Sequence, residues 1–260
     1  MRGNWGNAEE SSFMLMQKCC HDLDILQWLL EKDCQKIQSF GSLKHFKAEN
    51  APEGAPEYCY QNCPHGETCY YNAMKLYFDD KLNHWFRSAS TGKVEPTDEE
   101  VLEALKTTQY GKCVYKCNNN VVDHQVVNML FDGDITVNMT MCAFTKGGRK
   151  THIMGTKGEL WANMDKSADW FTFYDFATRK TYPIEAKIEV AGDSIVSGHG
   201  GGDSGIVNAL KQYLYGELEA KDVSEIGISC RNHMLVFAAE ESRLTDTVVR
   251  VEEFSKKYLG

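Results

Sequence analysis

Apolar residues recur at helical spacing from Ser12 to about Glu31. Leu15, Cys19, Leu23, Leu26 and Leu30 fall on one stripe, which Trp28 and Leu29 widen. Ser11 or Ser12 stands where an N-cap belongs. The period then changes. Ile37, Ser39, Gly41 and Leu43 alternate with Gln38, Phe40 and Ser42, which predicts a strand over 37–46. Residues 47–72 carry neither period. Ala51-Pro52-Glu53-Gly54-Ala55-Pro56 forbids regular structure, and a cysteine-rich stretch follows before a short helix predicted over 70–78. Thr97-Asp98-Glu99-Glu100 opens a helix to about Lys106, with the spacing of a capping box.

From Val121 the pattern is that of strands. Segments 123–131 and 135–144 flank Asp132-Gly133, a hairpin signal. Four more follow at 150–154, 159–163, 170–174 and 180–189. Helices are predicted at about 204–218 and 224–246, the second with Ile226, Cys230, Met234, Phe237 and Glu241 on one side. Residues 248–251 read as an edge strand. The expectation is an α+β fold, with a large, mainly antiparallel open sheet and helices on one face. It runs as a single domain over 1–260, with an irregular Cys-rich insertion at about 47–72. Apolar residues on both alternations of Val126–Phe131 favour a partner on the open face.

Composition narrows the function. The 260 residues are 42% hydrophobic and 25% charged, as in a folded globular chain, and the net charge of −9 argues against nucleic acid and anionic membranes as partners. No apolar run approaches the roughly 18 residues of a membrane span, and the first residues have no signal-peptide core. A cytoplasmic location is therefore expected, with the ten cysteines reduced. Cys19, Cys20 and Cys142 lie in apolar patterns and read as small hydrophobes. Cys59, Cys63 and Cys69 lie within eleven residues, and Cys113 supplies a fourth thiol. These four either hold a structural zinc, which takes four thiolate or imidazole ligands, or are free thiols.

A nicotinamide dinucleotide is usually held by a strand, a Gly-x-Gly-x-x-Gly turn and a helix N-terminus. The first hundred residues contain no such turn. Gly200-Gly201-Gly202-Asp203-Ser204-Gly205 matches formally, but Asp203 would put a negative charge where phosphate sits. It reads better as a loop with Asp203 as helix cap. No cofactor-binding residue is expected in this chain.

Four landmarks in order along the chain resemble the Gfo/Idh/MocA oxidoreductases. They are His21-x-x-Asp24 on a helix ending Trp28-Leu29; the strand pair Asp123–Thr140 followed by Arg149 and Gly155-Thr156-Lys157-Gly158-Glu159-Leu160; His199-Gly200-Gly201-Gly202-Asp203 before a helix; and Glu240-Glu241-Ser242-Arg243. The resemblance covers the C-terminal α/β domain of that family, the substrate-binding and dimerisation domain, without its N-terminal Rossmann domain. It implies NAD- or NADP-dependent oxidation of a secondary alcohol of a sugar, inositol or related polyol. It also implies a homodimer through the open sheet face and a truncated chain that needs a Rossmann-domain subunit in trans. Two departures stand out. The lysine of the family's Glu-Lys-Pro motif has no counterpart, and Gln17 stands where many members have an aspartate four residues before the histidine.

On that resemblance His21 is the base for the hydroxyl proton, since an imidazole titrates near neutral pH. Lys18 would hydrogen-bond the hydroxyl and favour its alkoxide, and Asp24 would fix the imidazole tautomer. Gln17, His199 and Asp203 would bind substrate hydroxyls. Without the resemblance, His21 is a polar residue at a helix edge and the glycine turn a capped loop. The competing function is a non-catalytic sugar-binding or dimerisation module that keeps the fold.

Overall fold

The structure is a computed structural model describing residues 1–81, 83–163, 171–184, 202–219, 223 and 225–259. In chain order its helices and strands are α1 (Met14–Leu30), β1 (Cys34–Ser42), α2 (His84–Thr91), α3 (Asp98–Thr107), β2 (His124–Phe131), β3 (Ile135–Cys142), β4 (Lys150–Met154), β5 (Gly158–Asn163), β6 (Phe171–Asp175), β7 (Lys180–Pro183), α4 (Gly202–Leu214), α5 (Ile226–Thr245), β8 (Val249–Arg250) and α6 (Val251–Leu259). They form two compact units, one of Met1–Ala143 with Ile226–Gly260 and one of Phe144–Glu225. The α+β class and the antiparallel pairing follow the predicted strand pattern. The strands divide into two four-stranded sheets, one in each unit.

In the first unit the order is β3-β2-β1-β8, antiparallel throughout. The period of two puts Ile37, Val127, Met129 and Phe131 on one face, where they meet Leu15, Cys19 and Leu23 of α1 and Leu235, Val236, Ala238 and Ala239 of α5. Leu15, Leu23, Ile37, Val127 and Phe131 are fully buried. Each such side chain contributes about 1.5–3 kcal/mol by leaving water.

Polar groups in this core are joined in a chain, although Gln125 Oε1 is buried without a partner. Gln125 Nε2 donates to Ser39 Oγ at 2.9 Å, and Ser39 N donates to Ser242 Oγ at 2.9 Å. Ser242 in turn donates to Thr247 O at 2.6 Å. The Glu240–Arg243 landmark is therefore a joint between α5 and the sheet. Arg243 also grips Glu240 through two hydrogen bonds, of 2.9 and 2.6 Å.

The solvent face carries four cross-strand rows: Lys36–Leu130–Thr136, Gln38–Asn128–Asn138, Phe40–Val126–Thr140 and Ser42–His124–Cys142. The row at Gln38 is all amide.

Two helix faces differ from expectation. On α1, Trp28 is 74% and Leu29 47% exposed, so the buried stripe is narrow and ends on Leu26 and Leu30. On α5, Ile226, Cys230 and Phe237 are exposed, and the buried side runs through Asn232, Leu235, Val236, Ala239 and Ser242. Asn232, Ala239 and Ser242 lie among the larger apolar residues of that face, where α5 packs against both α1 and β1. The capping box of α3 is present, with Glu100 N donating to Thr97 Oγ1 at 3.3 Å and Thr97 N to Glu100 Oε2 at 2.9 Å.

The second unit holds the meander β4-β5-β6-β7 and α4. Gly158 begins β5 because a Cβ there would come within 2.3 Å of Tyr174 O. Among the described residues no helix is long and apolar enough to cross a membrane.

Candidate functional site

The first two turns of α1 present Gln17, Lys18 and His21 on neighbouring positions, because residues three and four apart share a helix face. Leu15, Cys19 and Leu23 are buried on the opposite side and fix the rotation of the helix. Lys18 and His21 are exposed. The Lys18 ammonium stands 3.4 Å from the centroid of the Trp5 ring, a cation–π contact. Partial desolvation there lowers its pKa below the ordinary lysine value, against a smaller opposite effect of Cys19. A lysine so placed gives up its proton more readily than one in free solvent.

Gln17 folds back on the helix start, its Nε2 donating to Ser12 O. Its Oε1 is buried without a hydrogen-bond partner. A buried acceptor left unpaired costs about 1–3 kcal/mol. Asp24 accepts a hydrogen bond from Asn232 Nδ2 on α5. The carboxylate expected to orient His21 thus joins α1 to α5 instead. It lies on the inner side of the helix, one turn beyond the histidine and turned toward the packed neighbour.

Asp203 is the second residue of α4, in the second unit, and His199 lies outside the described residues. The glycine turn before α4 is therefore described only from Gly202 onward. Every strand pairing in the described sheets is antiparallel, so none of them supplies the parallel strand–turn–helix that holds a dinucleotide.

Cys59, Cys63, Cys69 and Cys113 line one recess of about 20 Å3 with His65 and Arg2. That volume has room for about one water. The buried Arg2 guanidinium reaches into the thiol cluster. It donates to Lys112 O at 2.7 Å, to Tyr71 O, and to Cys59 Sγ at 3.7 Å. Burial raises the Cys113 thiol above its ordinary pKa. Among the described residues no group of three or more His, Cys, Asp or Glu side chains is placed to hold a metal ion. Of the two alternatives for these cysteines, zinc therefore has no support, and the four are free thiols. The insertion is held instead by Arg2 and by the bridge between Tyr58 and Lys112. In that bridge Cys59 N donates to Gly111 O at 2.9 Å and Cys113 N to Glu57 O at 2.8 Å.

Trp5 and Asn232 complete the surroundings of α1, and sequence reasoning missed both. Trp5 precedes any periodic segment. Asn232 was hidden because a polar residue in a helix normally reads as solvent-facing. It stands between Arg231 and His233, so nothing in its neighbours marked it as buried.

A family model described as the C-terminal α/β domain of the oxidoreductase family Gfo/Idh/MocA matches residues 1–170. A protein named as oxidoreductase YteT of Bacillus subtilis (strain 168) is 22% identical over 213 residues, which is 76% of this chain and 46% of that protein. A crystal structure named as an NADPH-dependent oxidoreductase from Desulfitobacterium hafniense superposes with a TM-score of 0.55. It is 15% identical, over 97% of this chain and 52% of that one. The transcriptional regulator Gal80p from Kluyveromyces lactis superposes with a TM-score of 0.54. It is 14% identical, over 96% and 48% respectively. The chain spans about half the length of these relatives.

Proposed function

This chain belongs to the Gfo/Idh/MocA oxidoreductase family, and we propose that it forms the substrate side of an NAD- or NADP-dependent oxidation of a secondary alcohol on a sugar, inositol or related polyol. The observation that carries this reading is the pairing of exposed Lys18 and His21, one turn apart, on a helix whose other side is locked into the core. The nicotinamide, held by a cofactor domain outside the residues described here, would accept the hydride.

The residues of α1 handle the proton. His21 takes it from the substrate hydroxyl. Lys18, with a pKa lowered by partial desolvation, donates a hydrogen bond to that oxygen and stabilises its alkoxide character. Gln17 Oε1 is an acceptor with no partner of its own, and a shift of the side chain would offer it to a neighbouring hydroxyl. Asp24 acts at one remove: its bond to Asn232 fixes the helix that carries the other three.

A second reading is a non-catalytic sugar-binding or dimerisation module. Two observations favour it. His21 has no carboxylate from Asp24 to hold its tautomer, and the same fold occurs in a structure named as a transcriptional regulator, so the fold alone does not carry catalysis.

The test is a crystal structure with inositol or a hexose bound. Catalysis requires a ligand hydroxyl within about 3.2 Å of a His21 ring nitrogen. A ligand bound with every atom far from His21 overturns the proton-transfer role and leaves the binding-module reading.

A further inference from the structure

At the other side of the first sheet, β1 and β2 end in a second arrangement of reactive groups. Ser42 is the last residue of β1 and pairs with His124, the first of β2. Both are exposed on the solvent face, with Cys142 of β3 next in the row. His124 Nε2 lies 3.5 Å from Ser42 Oγ, and His124 Nδ1 lies 2.8 Å from Asp123 Oδ1. Asp123 is fully buried.

Its charge state follows from its partners. The amide N–H of Lys44 donates to it at 3.0 Å, that of His45 at 2.6 Å and that of Phe46 at 3.4 Å. A carboxylate surrounded by donors is acceptor-only, so the hydrogen between Asp123 and His124 belongs to Nδ1. In the neutral imidazole Nε2 is then the acceptor, and it faces the Ser42 hydroxyl. Gly41 makes this approach of the strands possible, because a Cβ there would come within 2.7 Å of His124 O.

We propose that Ser42, His124 and Asp123 form a second chemical site, in which the Ser42 hydroxyl is a nucleophile toward activated acyl or phosphoryl esters. Ser42 Oγ forms a bond to the carbonyl carbon or phosphorus, and its proton passes to His124 Nε2. The bond to the leaving group breaks, and an alkoxide leaving group takes that proton. Water reverses the sequence to release the acyl group. Asp123 holds the tautomer and stabilises the imidazolium, and it keeps its own charge throughout. The Ser42–His124 separation is at the long end of hydrogen bonding, as is common before substrate binds. The competing account is structural: Asp123 caps the turn over residues 44–46 and His124 merely stands beside it.

A fluorophosphonate probe separates the two. On attack the Oγ–P bond forms and fluoride leaves. The full chain is treated with the probe, and peptide mass spectrometry locates the adduct. The proposal expects one adduct per chain on Ser42, absent in Ser42→Ala and formed about 100-fold more slowly in His124→Gln, the size of a general-base contribution. Both variants keep the three amide bonds to Asp123, and thermal unfolding checks that they fold. No adduct on Ser42 in folded wild-type protein overturns the proposal whatever the variants do. Labelling of His124→Gln at the wild-type rate overturns it too, since Ser42 would then be an ordinary exposed hydroxyl.

Discussion

Two histidines in the first unit stand in opposite circumstances. His21 projects from α1 beside Lys18, and the carboxylate three residues later is bound to Asn232 on another helix. His124 stands at the end of β2, and the carboxylate directly before it in sequence is bound to its ring. The family motif marks the first, while the geometry orients the second. The difference lies in where each aspartate is needed for folding. Asp24 faces α5, so its best donor is across the helix pair. Asp123 accepts from three amides of the 44–46 turn and has capacity left for the imidazole. A carboxylate near a histidine in sequence is therefore a weak indicator until the competing donors are known.

The largest consequence of this contrast is in stability. Asp123→Ala leaves three amides of the 44–46 turn without their acceptor and should cost about 3–5 kcal/mol, measured by chemical denaturation. A cost near zero would mean the turn amides find water and Asp123 is no anchor.

Acid unfolding comes next. Burial alone would raise the Asp123 carboxyl, but the hydrogen bonds from His45, His124, Lys44 and Phe46 outweigh it and hold its pKa below the ordinary aspartate value. Its stabilisation is full above the unfolded-state pKa near 3.9 and is lost as pH falls through the lower folded value. Denaturation curves collected down the acid range should show this loss in wild type. The Asp123→Asn variant should lack that component.

Asp24→Ala removes one hydrogen bond and strands the Asn232 amide. About 1–2 kcal/mol of stability should be lost, measured by chemical denaturation. A loss as large as that of Asp123→Ala would erase the contrast. The smallest effect is at Trp5. Trp5→Ala should cost about 0.5 kcal/mol and let the Lys18 pKa rise toward its ordinary value as water returns, measured by NMR titration of the lysine side chain. An unchanged Lys18 titration would show that the ring is not what desolvates it.

The elements with long, regular periods were legible. α1, the hairpin β2–β3, α3 with its capping box, and the meander all follow from hydrophobic spacing and turn residues. Two short helices were not. α2 covers only His84–Thr91, too short for a period, although Asn83 caps it and Gly92 ends it in the left-handed region. α6 follows β8 without a break, so its first residue, Val251, was read as strand.

At the candidate site, the positions of Lys18 and His21 on one face were readable from their spacing. The fate of Asp24 was not, because it depends on Asn232, 208 residues away in sequence. The four thiols line one recess. What spacing could not show was a buried arginine from the start of the chain among them.

The decisive measurement is a calorimetric titration of inositol and a panel of hexoses into wild type, His21→Ala and His124→Ala. The account predicts that a polyol binds wild type, that His21→Ala abolishes the binding, and that His124→Ala leaves it unchanged. Binding that survives in His21→Ala and disappears in His124→Ala would contradict it, moving the substrate site from α1 to the end of the sheet.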